Sequence, residues 1–312
     1  MGLPPRLSLR HALALGLAHG PTELLPVSSS AHTILIPWLA GWPYAELDPE
    51  LRKSFEVALH AGTAAALLID LPATRRGGLR RRRWRRRARG AHPAGGPPPM
   101  LKLDARQVWP KLDARQVWPI ALSLAPAVIA GYTLEQPLQR RLSAPSTIAA
   151  GLLVGAVAMA LADARPPDGT RTLQETSKLD GLLLGLAQAL ALVPGVSRSG
   201  AVLTAARARG FGRADSHVLA RRTGLPVILG AAALKIGRRL RHGGPGGGTE
   251  QRSVGALSLG GAAAFLSTLA AIRLPRGAEH SDRHAGALLP YALYRGLLAS
   301  VVIRRCEHNR NE

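Results

Sequence analysis

Leu13-Ala14-Leu15-Gly16-Leu17-Ala18-His19-Gly20-Pro21-Thr22-Glu23-Leu24-Leu25-Pro26-Val27-Ser28-Ser29-Ser30-Ala31-His32 starts as an apolar helix and breaks into prolines, serines and a carboxylate. A second stretch does the same: Leu182-Leu183-Leu184-Gly185-Leu186-Ala187-Gln188-Ala189-Leu190-Ala191-Leu192-Val193-Pro194-Gly195-Val196-Ser197-Arg198-Ser199-Gly200-Ala201. LALGLAHG aligns with LLLGLAQA about 169 residues later, and both run on into a P-V-S-x-S pattern with a gap of one. A broken apolar segment is tolerated at membrane depth only where it is buried in protein or lines a wet cavity. Two such segments in corresponding halves point to an inverted-repeat membrane fold whose site lies where the breaks meet.

Six further apolar windows surround these breaks: Ser54–Leu71, Val117–Leu134, Ser146–Ala162, Val218–Leu234, Val254–Ile272 and Ala287–Ile303. Each approaches the roughly 20 residues needed to cross a bilayer. The expected fold is therefore all-α: a polytopic integral membrane protein of one domain over residues 1–312, with two re-entrant helical hairpins. The first repeat is placed at residues 7–134 and the second at 145–303. The N-terminal MGLPPRLSLRHALALGLAHG leads straight into the first break and is read as structure rather than as a leader peptide.

Composition agrees. The 312 residues include only three Phe, four Tyr and five Trp, too few to fill a large soluble core. The apolar stretches are rich instead in Ala, Leu, Val and Gly, the small residues of packed membrane helices. A mean hydropathy of +0.06 is low for a membrane protein. Charge collected into loops accounts for it. Ten arginines lie between Arg75 and Arg89, supplying much of the formal charge of +22. Flanked by apolar segments, this run reads as part of a basic, partly disordered inserted loop (72–116) on the cytoplasmic side, touching anionic lipid. A nucleic-acid arm would require a soluble domain beside it, so no nucleic-acid partner is expected. Lys102–Pro110 is repeated without change at Lys111–Pro119, a short duplication lengthening the same loop. Cys306 is the single cysteine, so no internal disulfide can form.

The breaks carry the chemistry. His19 and Glu23 are four apart and share one helix face. Ionisable groups inside a membrane segment are costly, which makes them candidate site residues. Ser28, Ser29, Ser30 and His32 add hydroxyls and an imidazole nearby. In the second break Arg198 sits between Ser197 and Ser199, beside glycines. A guanidinium fork matches phosphate oxygens, and glycine lets backbone N–H groups approach an anion. Together these groups suit phosphate-ester cleavage: Arg198 holds the anion, a hydroxyl or imidazole attacks phosphorus, and Glu23 serves as base or metal ligand. A divalent cation bridging Glu23 and a diphosphate would add Lewis-acid help, with His19 able to share it.

Gly20-Pro21-Thr22-Glu23-Leu24-Leu25-Pro26-Val27-Ser28-Ser29-Ser30-Ala31-His32 resembles the first signature of the undecaprenyl-diphosphatases of the bacitracin-resistance type. Leu190–Ala201 resembles the second. Shorter echoes are Phe55-Glu56-Val57 leading to Gly62-Thr63, Leu225-Pro226 with Gly230-Ala231, and Tyr294-Arg295. The resemblance implies hydrolysis of undecaprenyl diphosphate to the monophosphate, recycling the cell-wall lipid carrier in the plasma (inner) membrane and conferring bacitracin resistance. It implies Glu23 as the acidic group, Ser29 as nucleophile or phosphate contact and His32 as catalytic histidine. Arg198 becomes the phosphate-binding arginine, with Ser197, Ser199 and Thr204 near it. It also implies Mg²⁺ or Ca²⁺ as cofactor, and a polyprenyl diphosphate and membrane lipids as partners. A non-catalytic or decayed paralogue acting as a lipid-phosphate transporter or flippase on the same scaffold is the alternative. Oligomeric state is left open, a homodimer included. The chain departs from the family pattern in having His19 where a Glu or Gln is usual, and Arg221-Arg222 in an otherwise apolar segment.

Overall fold

The computed structural model describes residues 6–88, 114–166, 170–242, 253–273 and 287–311. Those residues form eleven α-helices and no strand. The first break becomes a helical hairpin, α1 (Leu9–Leu24) and α2 (Ser29–Leu39). The second becomes α7 (Lys178–Leu190) and α8 (Arg198–Ala208). At 11 to 16 residues, none of these four is long enough to cross a bilayer alone. All six apolar windows fall on helices. These are α3 (Pro49–Ala88), α4 (Ala114–Thr133), α6 (Pro145–Asp163), α9 (Arg213–His242), α10 (Val254–Arg273) and α11 (Leu289–Asn311).

Two helices, α6 and α10, are apolar and long enough to span a membrane. A third span is formed if α4 and the short α5 (Glu135–Leu142), bent by 62° between them, count as one. The longer α3, α9 and α11 carry arginines towards their ends. Large apolar side chains face outward on several helices, among them Val154 at 67% exposure, Leu161 at 69% and Leu297 at 69%. Such surface is costly in water and is solvated by acyl chains in a bilayer.

Within the segment read as an inserted loop, α3 continues as helix to Ala88. The remainder as far as residue 113 lies outside the described residues, including the first copy of the duplicated nonapeptide. The end of its second copy, Val117-Trp118-Pro119, belongs to α4.

Each half lends its hairpin to the other. Helix α1 packs chiefly on α10, and α7 packs chiefly on α4. Both contacts need glycine at equivalent positions of the duplicated octapeptide. A Cβ on Gly16 would lie 2.4 Å from the Gly260 carbonyl oxygen, and one on Gly185 would lie 2.7 Å from that of Ser123. Small residues thus bring backbones together where burying apolar surface gains little, because lipid is equally apolar. Hydroxyls tie the same seam: Ser267 Oγ donates to the Gly16 carbonyl at 3.0 Å, and Thr63 and Thr268 share a 3.1 Å hydrogen bond.

Candidate active site

Both breaks are built alike. Leu25 is extended, the preference of a residue before proline, and α1 stops there. Ser28 then caps α2, its hydroxyl accepting from the Ala31 N–H at 3.4 Å. Its φ of 75° makes it the one non-glycine residue at positive φ among the described residues. That conformation costs on the order of 1–3 kcal/mol and persists only where neighbours enforce it. In the second break Gly195 takes the left-handed turn at φ 93°, and Ser197 caps α8 through the Gly200 N–H at 3.3 Å. The Ser28–Ser30 and Ser197–Ser199 hydroxyl pairs are each 3.2 Å apart. Ser199 crosses the interface, donating to the Leu25 carbonyl at 3.0 Å.

Ser29 and Arg198 are therefore matching residues of the two copies, and both bind Glu23. Ser29 Oγ donates to Glu23 Oε2 at 2.5 Å, and Arg198 is hydrogen-bonded and ion-paired to Oε1. Glu23 is 8% exposed, so these contacts lie in a largely dry setting. Around it opens a cavity of about 600 Å³. Glu23, Ser28, Ser29, Ser30, Ser197, Arg198 and Ser199 all line it, as does His19. Apolar side chains line it as well, among them Val128, Ile228 and Leu234. A second charged group, Glu135 with Lys235 at 3.6 Å and Arg238 at 3.5 Å, stands beside the cavity.

Two of the expected residues stand apart. His32 is not part of the cavity wall. Its Nδ1 lies 2.7 Å from the Ser28 carbonyl, which can only accept, so the proton sits on Nδ1. Nε2 then accepts from the Tyr294 hydroxyl at 2.6 Å, with the rings stacked. Thr204 lies on α8 away from the lining, its hydroxyl buried without a hydrogen-bond partner among the described residues.

Several site residues went unassigned from sequence. Arg295, 1% exposed, donates to the carbonyls of Pro26 at 3.4 Å and Gly195 at 2.9 Å, one in each break. It also reaches the Gly151 carbonyl at 3.3 Å. Breaking a helix in a dry interior frees carbonyls that need a donor, and one guanidinium supplies both breaks. Tyr294-Arg295 stood in the sequence only as an echo of a signature. Gln188, the counterpart of His19 in the second copy, lines the cavity and donates to the Ser123 carbonyl at 3.2 Å. His60, from α3, closes on His19 with ring centroids 4.9 Å apart.

The donor set near Glu23 bears on the expected hard cation. A nitrogen of His19, a nitrogen of His60 and a Glu23 oxygen lie within 4.8 Å of one another. Mg²⁺ and Ca²⁺ take six or more oxygen ligands. One carboxylate and two imidazoles do not fit them.

Short helices in duplicated hairpins, an outward apolar surface, and a carboxylate and arginine meeting at paired breaks define a class. This is an α-helical integral membrane protein in which the two duplicated breaks meet. Comparison narrows it further: the model of a family described as "Bacitracin resistance protein BacA" matches residues 12–301, and the chain belongs to that family. It is 36% identical over 301 residues to an undecaprenyl-diphosphatase of Geobacter metallireducens, covering 94% of this chain and 96% of that one. It is 34% identical over 302 residues to the undecaprenyl-diphosphatase of Geobacter sulfurreducens, covering 95% and 98%. A third of that name, from Acidiphilium cryptum, is 30% identical over 294 residues, covering 93% and 95%.

Proposed function

We propose that the protein hydrolyses undecaprenyl diphosphate to undecaprenyl phosphate and inorganic phosphate, returning the lipid carrier to cell-wall synthesis in the plasma membrane and conferring bacitracin resistance. The observation carrying this reading is the placement of Ser29 and Arg198 on opposite oxygens of Glu23, in a cavity lined by both polar and apolar side chains. The polar groups suit a diphosphate and the apolar ones the first isoprene units.

Arg198 uses one nitrogen on Glu23. The rest of its fork is available to the terminal phosphate, with the Ser197 and Ser199 hydroxyls beside it. Ser29 Oγ attacks the terminal phosphorus, and its proton passes to Glu23 along the existing hydrogen bond. The bond to the bridging oxygen breaks, and undecaprenyl phosphate leaves with that oxygen and the proton from Glu23. Water then attacks the phosphoserine and gives a proton to Glu23, which passes it to Ser29 Oγ as the Ser29–phosphorus bond breaks and inorganic phosphate leaves. Arg198 meets the charge that develops on the phosphoryl oxygens in both steps. Ser28 and Ser30 bound the phosphate pocket. His32, held between Ser28 and Tyr294, fixes the corner that presents Ser29.

Purified protein incubated with undecaprenyl diphosphate should release one phosphate per lipid, and acid quenching with terminally labelled substrate should trap label on Ser29. Absence of phosphate release from correctly folded protein would overturn the hydrolase reading. Release by Ser29→Ala at the wild-type rate would remove Ser29 as nucleophile.

A further inference from the structure

We infer that His19, Glu23 and His60 form a binding site for a borderline transition-metal ion, with Zn²⁺ the best match, rather than for a hard cation. His19 is 3% exposed, and both of its ring nitrogens are buried without a hydrogen-bond partner among the described residues. A buried imidazole with neither nitrogen satisfied loses the solvation of two polar atoms, at about 1–3 kcal/mol each. Such an atom in a cavity wall calls for a ligand, and three potential donors already converge there within 4.8 Å.

The neighbours prepare the site. His60 Nδ1 lies 2.8 Å from the Glu56 carbonyl, so Nδ1 carries the proton and Nε2 keeps its lone pair. A backbone carbonyl that accepts from the other ring nitrogen and fixes the tautomer is a recurrent feature of metal-ligating histidines. Ser29 and Arg198 hold the Glu23 carboxylate, yet its two oxygens offer about four acceptor positions, so a metal need not displace either. Donors around a tetrahedral ion at bond lengths of about 2.1 Å are about 3.4 Å apart. The three side chains close by modest rotations. Two imidazoles and one carboxylate with the fourth position open form the ligand pattern of catalytic zinc sites. The open position faces the cavity that Arg198 lines, where a water or a phosphate oxygen can enter.

The inference does not rest on the hydrolase reading, because binding is read without substrate. Untagged full-length protein in detergent is stripped with chelator and titrated with Zn²⁺ against a chromogenic chelator. Co²⁺ titration is followed in parallel by visible absorption. The expected result is one Zn²⁺ per chain, the d–d bands of four-coordinate Co²⁺, and no displacement by a large excess of Mg²⁺ or Ca²⁺. His60→Gln should weaken Zn²⁺ binding by more than about tenfold. His19→Glu should weaken it similarly while making the ion displaceable by Mg²⁺, since the donors become harder. Equal Zn²⁺ affinity in wild type and both variants, or displacement from wild type by Mg²⁺, would overturn the assignment. If the variants fail to fold, zinc-edge X-ray absorption of wild type still decides it: two imidazoles bound to the ion support the site, and fewer refute it. Lost phosphate release with intact Zn²⁺ binding would count against the hydrolase alone.

Discussion

Glu23 has two carboxylate oxygens, and each is taken by a residue from a different copy of the same motif. The duplicated position became a hydroxyl in one copy and a guanidinium in the other, and the proposed reaction uses both. Glu23→Gln keeps the shape but cannot take the Ser29 proton, so turnover should fall by about 10²–10⁴ while membrane insertion persists. Combined with Ser29→Ala, the loss should be little larger than for either alone, because the pair acts as one unit. Fully additive losses would separate the two residues. Arg198→Lys replaces a planar fork with a point charge and should cost about 10²–10³ in kcat. These three residues were legible from sequence because serines, an arginine and a carboxylate stand out inside apolar runs. His60 was not. It is one polar residue among many on a long helix, and only the packing of α3 beside α1 brings it to His19.

At the scale of the element, the hairpins were legible and their fastening was not. Proline, glycine and serine mark where α1 and α7 must stop, and the helix limits follow those marks. Nothing local says which donor then satisfies the freed carbonyls. Arg295 comes from α11, over 260 residues beyond Pro26, and reaches both breaks. Arg295→Met should therefore leave carbonyls unpaired at about 1–3 kcal/mol each. Thermal unfolding in detergent should show a lower midpoint together with lost activity. Arg198→Lys should lose activity with its midpoint nearly unchanged. A stable but inactive Arg295→Met would instead make that residue part of the chemistry. The start of the basic segment, as far as Ala88, continues α3 as helix. Arginine is a good helix former, so a run of it does not by itself end α3.

For the whole molecule, α3 has 40 residues and, at about 1.5 Å per residue, a length near 60 Å, roughly twice the hydrocarbon thickness. Its arginine-bearing end must therefore project beyond the bilayer. Ten arginines between Arg75 and Arg89 resist translocation, so that end is expected in the cytoplasm. Reporter fusions after Gly95 should be active for a cytoplasmic enzyme and silent for an exported one. The reverse pattern would invert the topology.

The contact between Glu23 and Arg198 spans 175 residues of chain. Ribosomes add about 5–20 residues per second, so the carboxylate precedes its counter-ion by roughly 10–35 s during synthesis. An unpaired carboxylate in hydrocarbon is costly. The first hairpin must wait at the lipid–water boundary or in the insertion machinery until the second is made. A fragment ending before α7 should be short-lived in cells, and co-expression of the remaining half should lengthen its lifetime. The duplicated fold thus sets an order of birth: the early half stays provisional, and the late half makes it permanent.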